Sequence, residues 1–382
     1  MAFNPVLVLD SDQRSALAVI RSLGARGVPV TAAERRARSL GGASRHAHST
    51  AVYPDPALAP ADFQRWLIDW LGTHPGTLVL PMTDLTLPLT LAVRDSLSTA
   101  LPFPPLDSYQ ALSDKLLTAE AARQAGIAVP STVSVSRAAP QPAALRVMRY
   151  PAVLKPQVSV LRTAAGVVKE AVRYVDSAAA IEEFLRTHPY ADDAPFLVQE
   201  RVAGRGYGVF VLFDHGQPLG FFSHLRLRER PPSGGVSVLS ESAPLDTELC
   251  ERVARMFAAR NWHGVAMAEF KLPEHGPPVL IEVNGRFWGS LQLAIDSGVD
   301  FPWLLYRLAR GESCEVPRDY AVGRRLRWLL GDLDHMLLAL RGGAGWRAVR
   351  TFLAPSGRDT RLELLRAQDP WPAFRALRNW IS

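Results

Sequence analysis

Only two cysteines, Cys250 and Cys314, occur in the 382 residues. They supply neither a disulfide framework nor a zinc-binding spacing. No apolar run approaches the roughly eighteen residues of a membrane-spanning helix, so none is expected. The opening residues, Met1 to Val6, lack the charged start, apolar core and cleavage site of a signal peptide, and a cytoplasmic location is the expectation. Lysine is scarce: Lys115, Lys155, Lys169 and Lys271 stand against 39 arginines. The chain is also rich in Ala, Leu and Pro, so the net charge of +6 reads as compositional bias. There is no basic run interleaved with aromatics, and no nucleic-acid partner is expected. A lysine kept in such a chain suits a task that arginine does poorly, that of a compact charge against phosphate. The turn after the first strand, Asp10-Ser11-Asp12-Gln13-Arg14-Ser15, has no glycine, which removes the dinucleotide fingerprint and the case for NAD. No Ser/His/Asp or Cys/His arrangement for nucleophilic catalysis is present.

What is present centres on Val279-Leu280-Ile281-Glu282-Val283-Asn284-Gly285-Arg286. Ile281 and Val283 alternate with Glu282 and Asn284, the pattern of a strand with one apolar and one polar face. A second strand-like run, 265–272, lies upstream, and the turn composition Pro273-Glu274-His275-Gly276-Pro277-Pro278 separates the two. Folding back symmetrically about that turn places Glu269 opposite Glu282. Two carboxylates and a carboxamide sharing one patch repel unless a cation joins them, and an all-oxygen set suits Mg²⁺.

Two or three domains are expected from the length. Residues 5–10, 13–23 and 28–33 read as strand, helix and strand, which implies a parallel, Rossmann-like sheet. Another apolar strand, 77–81, ends at Met82-Thr83-Asp84, where ligands of open α/β sheets bind, so Thr83 and Asp84 are candidates for holding substrate. Ser113-Asp114-Lys115 opens a helix that stops at Gly126. A Pro/Ala-rich spacer, 138–144, precedes a strand ending in Lys155-Pro156. Further strands are expected at 167–175 and at 196–202, where the apolar run breaks at Gln199-Glu200. A helix is expected at 177–187. Gly204 to Gly208 reads as a turn, 209–213 and 218–224 as a hairpin, and 226–235 as a basic loop bearing Gly234 and Gly235. An amphipathic helix fills 248–259.

Together these pieces resemble the ATP-grasp superfamily, most closely its carboxylate–amine ligase branch, over residues 5–312. The resemblance implies an α/β fold (α+β overall). Its parts are a Rossmann-like parallel-sheet domain at 1–108, a small α+β lid at 109–198, an antiparallel-sheet catalytic domain at 199–312 and a mainly helical C-terminal extension at 313–382. It implies ATP and Mg²⁺ (or Mn²⁺) as cofactors. Lys115 and Lys155 would contact phosphates. Gln199, Glu200, Arg201 and Val202 would form the hinge that reads adenine. Glu269, Glu282 and Asn284 would bind the metal. Arg286 would stabilise the transferring phosphoryl group, and Arg228 would stand beside the acceptor. Two features depart from the family: the flap loop at 158–166 holds one glycine, and Tyr207-Gly208-Val209 lacks the acidic residue that many members use for ribose.

The implied reaction joins a small carboxylate to an amine through an acyl phosphate and releases ADP and phosphate. Amino acids or peptides are the commonest substrates of the branch, and a homodimer is the assembly it suggests. The rival readings are bicarbonate activation or another acceptor on the same fold, and a nucleotide-binding regulatory subunit without catalysis. Beyond residue 313, leucines at helical spacing among arginines in 324–340 predict an amphipathic helix, packed on the core or facing a partner or membrane surface.

Overall fold

The computed structural model describes residues 3–137, 143–163, 166–168, 170–192, 194–314, 316–317, 319–354, 357 and 359–381. Part of the flap at 158–166 and most of the 138–144 spacer lie outside the described residues.

The chain opens as β1 (Val6–Val8), a helix (Arg14–Gly24) and β2 (Val30–Glu34), followed by β3 (Ser49–Val52) and β4 (Leu78–Leu80). These four strands form a parallel sheet in the order β3-β2-β1-β4. Val6, Leu7, Val8 and Leu9 are fully buried, as expected for a parallel strand covered on both faces. Asp10 fills the place of a glycine turn: its backbone is left-handed, and its carboxylate accepts from Thr86 Oγ1 at 2.5 Å and the Met82 N–H at 3.0 Å. That network binds the carboxyl ends of β1 and β4 together.

The second unit holds β5 (Thr132–Val135), β6 (Ala152–Pro156), β7 (Leu161–Thr163), β8 (Gly166–Val168), β9 (Arg173–Val175) and β10 (Phe196–Glu200). Four of them form an antiparallel sheet in the order β5-β10-β6-β9, and β7 pairs with β8 apart from it. The single strand expected at 167–175 is thus two short ones. A helix, Ala178–Thr187, packs Ile181 and Leu185 with Leu154, Phe196 and Val198 in a core of their own. The helices Leu106–Ser113 and Lys115–Gln124 instead bury Tyr109, Leu112, Ala121 and Ala122 in the large core. Of the stretch expected as lid, only the part from Thr132 onward packs on the small core.

The third unit is a seven-stranded sheet made of β11 (Arg205–Asp214), β12 (Gln217–Arg230), β13 (Val236–Ser242), β14 (Gly264–Leu272), β15 (Val279–Asn284), β16 (Arg325–Arg327) and β17 (Thr360–Leu362), in the order β15-β14-β11-β12-β13-β16-β17. Three sequence expectations are corrected here. Gly206 and Gly208 do not make a turn but lie inside β11. The basic loop is strand as far as Arg230, and only 231–235 turns. The stretch 324–340 is a strand before it becomes the helix Leu329–Arg341.

The C-terminal stretch therefore carries helices (Leu329–Arg341, Trp346–Leu353 and Trp371–Ile381) and two strands that extend the sheet. It also clasps the first domain. Arg21 is buried, donates from Nε to Asp369 at 2.8 Å, and reaches the carbonyls of Glu363, Leu364 and Asp369. No helix among the described residues is long and apolar enough to cross a membrane.

Candidate active site

The hairpin register is the one the turn symmetry predicts. Glu269 on β14 stands opposite Glu282 on β15, and Met267 opposite Asn284, with a bulge between Glu269 and Phe270. Across the sheet, Glu269 also faces Gly208 on β11, which faces His224 on β12. His224, Gly208, Glu269 and Glu282 thus form one row over four strands. Gly206 lies one pleat along on the same face, opposite Lys271.

The two glycines explain how β12 reaches β14. A Cβ on Gly206 would come within 2.8 Å of the Arg226 side chain, and one on Gly208 within 3.0 Å of the His224 ring. Without those carbons Arg226 lies across β11. Its Nη1 donates to Glu269 Oε1 at 2.6 Å, and Nη2 donates to the other oxygen. Nη1 also reaches Glu229 Oε1 at 3.1 Å. Burial works against the Arg226 charge, but the two carboxylates more than offset it and hold the guanidinium above its ordinary value. Burial first, and the Glu282 charge beside it, push the Glu269 carboxyl up, while Arg226 pulls it down.

This sheet face, the small unit and the first domain enclose a cleft of about 600 Å³. Its walls include Lys115, Lys155, Gln199, Glu200, Arg201, Val202, Glu269, Glu282, Asn284 and Arg286. Lys155, next to last in β6, is almost fully buried, and burial pushes its ammonium down to about 8, with Glu282 opposing that shift and Lys115 adding to it. Lys115 Nζ lies 3.4 Å from the Gln157 carbonyl and from Ser159 Oγ. Gln199 is buried and donates to Thr132 Oγ1 at 3.0 Å, so its side chain braces β5. Residues 201–204 pass beyond the last pairs of β10 and line the cleft, where their main chain is free of the ladder. The Arg201 guanidinium sits 5.3 Å over the Tyr174 ring.

Arg286 is fixed by Asp84, with Nε donating to Oδ1 at 2.9 Å and Nη2 to Oδ2 at 2.7 Å. Asp84, at the carboxyl end of β4, thus holds a neighbouring side chain within the cleft wall. Asn284 sits between, accepting from Arg286 at 3.2 Å and donating to Glu282 at 3.3 Å.

Arg228 is not brought to the cleft. Its Nη2 donates to Asp332 Oδ2 at 2.8 Å and its Nη1 to the Thr351 carbonyl at 2.9 Å. The β12–β13 register slips between Arg226 and Arg228, and that bulge turns Arg228 away from the face Arg226 uses. Sequence reading passes over Arg226 and Glu229, and it notes Lys271 only as one of four retained lysines. It also passes over Arg14, which lines the cleft from the first domain and stacks on Trp328 at 4.1 Å. A strand reading of 217–230 would have signalled Arg226, because it stands two positions after His224 on β12 and so shares its face.

A family model described as "ATP-grasp in the biosynthetic pathway with Ter operon" matches residues 192–330. An uncharacterized protein, y4rH, of Sinorhizobium fredii (strain NBRC 101917 / NGR234) is 29% identical over 253 residues, taking in 62% of this chain and 50% of that protein. The chain spans about half the length of this curated relative. Among solved structures, the L-amino acid ligase from Bacillus licheniformis superposes with a TM-score of 0.65 at 19% identity, over 85% of this chain and 79% of that one. N5-carboxyaminoimidazole synthetase from Staphylococcus aureus gives 0.66 at 13%, over 90% and 87%. Biotin carboxylase from Campylobacter jejuni gives 0.62 at 16%, over 84% and 74%. The shared feature is the fold.

Proposed function

Starting from an ATP-grasp fold, we propose that this chain is an ADP-forming ligase that joins a small carboxylate to an amine. One observation carries the reading: Lys155 of the small unit and Lys115, at the start of the helix Lys115–Gln124, line one cleft with a Glu269–Glu282–Asn284 patch. Cations on one wall and paired carboxylates on the other suit a triphosphate with its metal.

The donor set fits Mg²⁺. It is all oxygen, it crowds two carboxylates, and Arg226 keeps Glu269 oriented while leaving lone pairs unused. Glu269, Glu282 and Asn284 would hold the ion, which when bound neutralises phosphate charge. Lys115 and Lys155 offset the remaining charge. Of the hinge residues 199–202, Arg201 and Val202, past the last pairs of β10, supply main chain for the base. Arg286, oriented by Asp84, stands where charge builds on the transferring phosphoryl group.

A substrate carboxylate oxygen attacks the γ-phosphorus as the bond to ADP breaks, giving an acyl phosphate. The amine then attacks the acyl carbon, phosphate leaves, and the nitrogen loses a proton. No side-chain nucleophile is required, so positioning and charge stabilisation do the work. The Bacillus licheniformis neighbour, an L-amino acid ligase, makes amino acids the first substrates to try.

The test uses the full chain with ATP, Mg²⁺, pooled carboxylic acids and hydroxylamine, following ADP and hydroxamate by mass spectrometry. An acid-dependent hydroxamate that disappears in Glu282→Gln is the expected result. ADP without hydroxamate points to another acceptor or to bicarbonate. Failure to bind ATP overturns the reading.

A further inference from the structure

A second group of ligating side chains lies at the far end of β11. Asp214 and Gln217 pair at the tip of the β11–β12 hairpin, with His215 and Gly216 between them, both in the left-handed region at φ 43° and 83°. A two-residue hairpin turn of this kind favours Asn, Asp or Gly at its first central position, so a histidine there is unusual. His263 directly precedes β14, and the Gly216 N–H donates to the Trp262 carbonyl at 2.7 Å, which fixes the tip against that segment.

One ligand atom from each of Asp214, His215 and His263 lies within 4.8 Å of the others. Asp214 Oδ1 is 2.7 Å from His215 Nδ1 and 3.3 Å from His263 Nδ1. Ligands about 2.1 Å from a tetrahedral ion stand roughly 3.4 Å apart, so the Asp214–His263 separation already matches, while the exposed His215 ring, stacked on His263 at 4.1 Å, must swing outward. The His215 backbone N–H lies 3.4 Å from His263 Nδ1, and a cation bound there takes the lone pair that this long contact uses. The His215 side chain is 70% exposed and the His263 side chain 12%, so the group is open on one side and walled on the other.

We propose that Asp214, His215 and His263 form a zinc site that ties the β11–β12 hairpin tip to the start of β14. Two imidazoles and one carboxylate suit Zn²⁺ and leave a coordination position for water, whereas Mg²⁺ prefers oxygen ligands. The site is separate from the cleft. Asp214 stands six residues along β11 from Gly208, which lies opposite Glu269, about 20 Å at the rise of an extended strand.

The test is calorimetric titration of the metal-free full chain with Zn²⁺ at pH 7.5, with excess Mg²⁺ present to occupy the cleft carboxylates. A parallel Co²⁺ titration is read by its visible absorption. One ion per chain, a tetrahedral cobalt spectrum and a raised melting temperature with Zn²⁺ are expected. His215→Asn, which keeps a residue suited to positive φ, should weaken binding at least about tenfold while retaining the metal-free melting temperature. His263→Gln should do the same. Cys314→Ser should leave binding unchanged, since that thiol is no ligand in the proposal. Zn²⁺ binding that survives His215→Asn undiminished, or no stoichiometric binding, overturns the site. If His263→Gln fails to fold, the His215→Asn result decides.

Discussion

Arg286 and Asp84 meet end-on, two nitrogens on two oxygens, across 202 residues of chain. Neither side chain is more than a fifth exposed. Burial opposes the Arg286 charge, and Asp84 more than restores it. The residue read from sequence as a substrate contact is thus the one that aims the arginine of the candidate site.

Asp84→Ala leaves that guanidinium buried without its carboxylate. Removing one partner of a buried pair costs roughly 3–5 kcal/mol. Urea unfolding should show that loss. ADP formation should fall on the order of a hundredfold through misplacement of Arg286. Unchanged turnover with lowered stability would confine the pair to a structural role.

Burial pushes the Lys155 ammonium down to about 8. Phosphate beside it favours the charged form, so ATP binding at pH 8 should take up about half a proton from this group. Calorimetry in buffers of different ionisation enthalpy measures the uptake. The linkage for folding has the opposite look: the folded pKa is depressed, so the unfolded chain holds the extra proton. The Lys155 contribution to stability therefore rises with pH between about 8 and 10.5. In Lys155→Arg the proton uptake should vanish.

Arg226→Met removes the charge that holds Glu269 down. Burial and Glu282 then push that carboxyl further above 4.5. The folded variant binds a proton that the unfolded chain has released, so its stability falls as pH rises from about 4.5 through the raised value. The gap in urea midpoint between wild type and variant should be wider at pH 8 than at pH 5. An equal gap at both would mean that Glu269 does not sense Arg226.

Arg21 and Asp369 have side chains 10% and 2% exposed. Asp369→Ala also strips an acceptor from Ser44 Oγ and the Arg45 N–H. The expected cost is again roughly 3–5 kcal/mol, and limited proteolysis should cut more readily in the C-terminal stretch.

The Glu269–Glu282 pairing was legible because a hairpin has one natural centre, and the Pro/Gly turn marked it. Lys155 was legible because a buried strand seldom ends on an ammonium. Arg226 and Arg228 were not separable by the same reasoning. Period two places them on one face, and the bulge that divides them leaves no mark in Arg226-Leu227-Arg228. Gly206 and Gly208 misled in a different way. Glycine signals a turn and also signals close approach within a strand, and only the arginine and histidine crossing from β12 decide between them. The parallel first sheet was readable from apolar runs. The return of residues 363–369 to its helix depended on ion pairs between segments about 350 residues apart, which no local pattern carries.

That return has a consequence for biosynthesis. A chain emerging from the ribosome makes this layer early, yet the charge on Arg21 meets Asp369 only after 348 further residues have been made. Domains made early usually fold early. Here the first helix must wait, with its apolar sheet-facing side already buried and its arginines still open to water. A nascent chain stalled before residue 369 should hold a looser amino-terminal layer than the released protein.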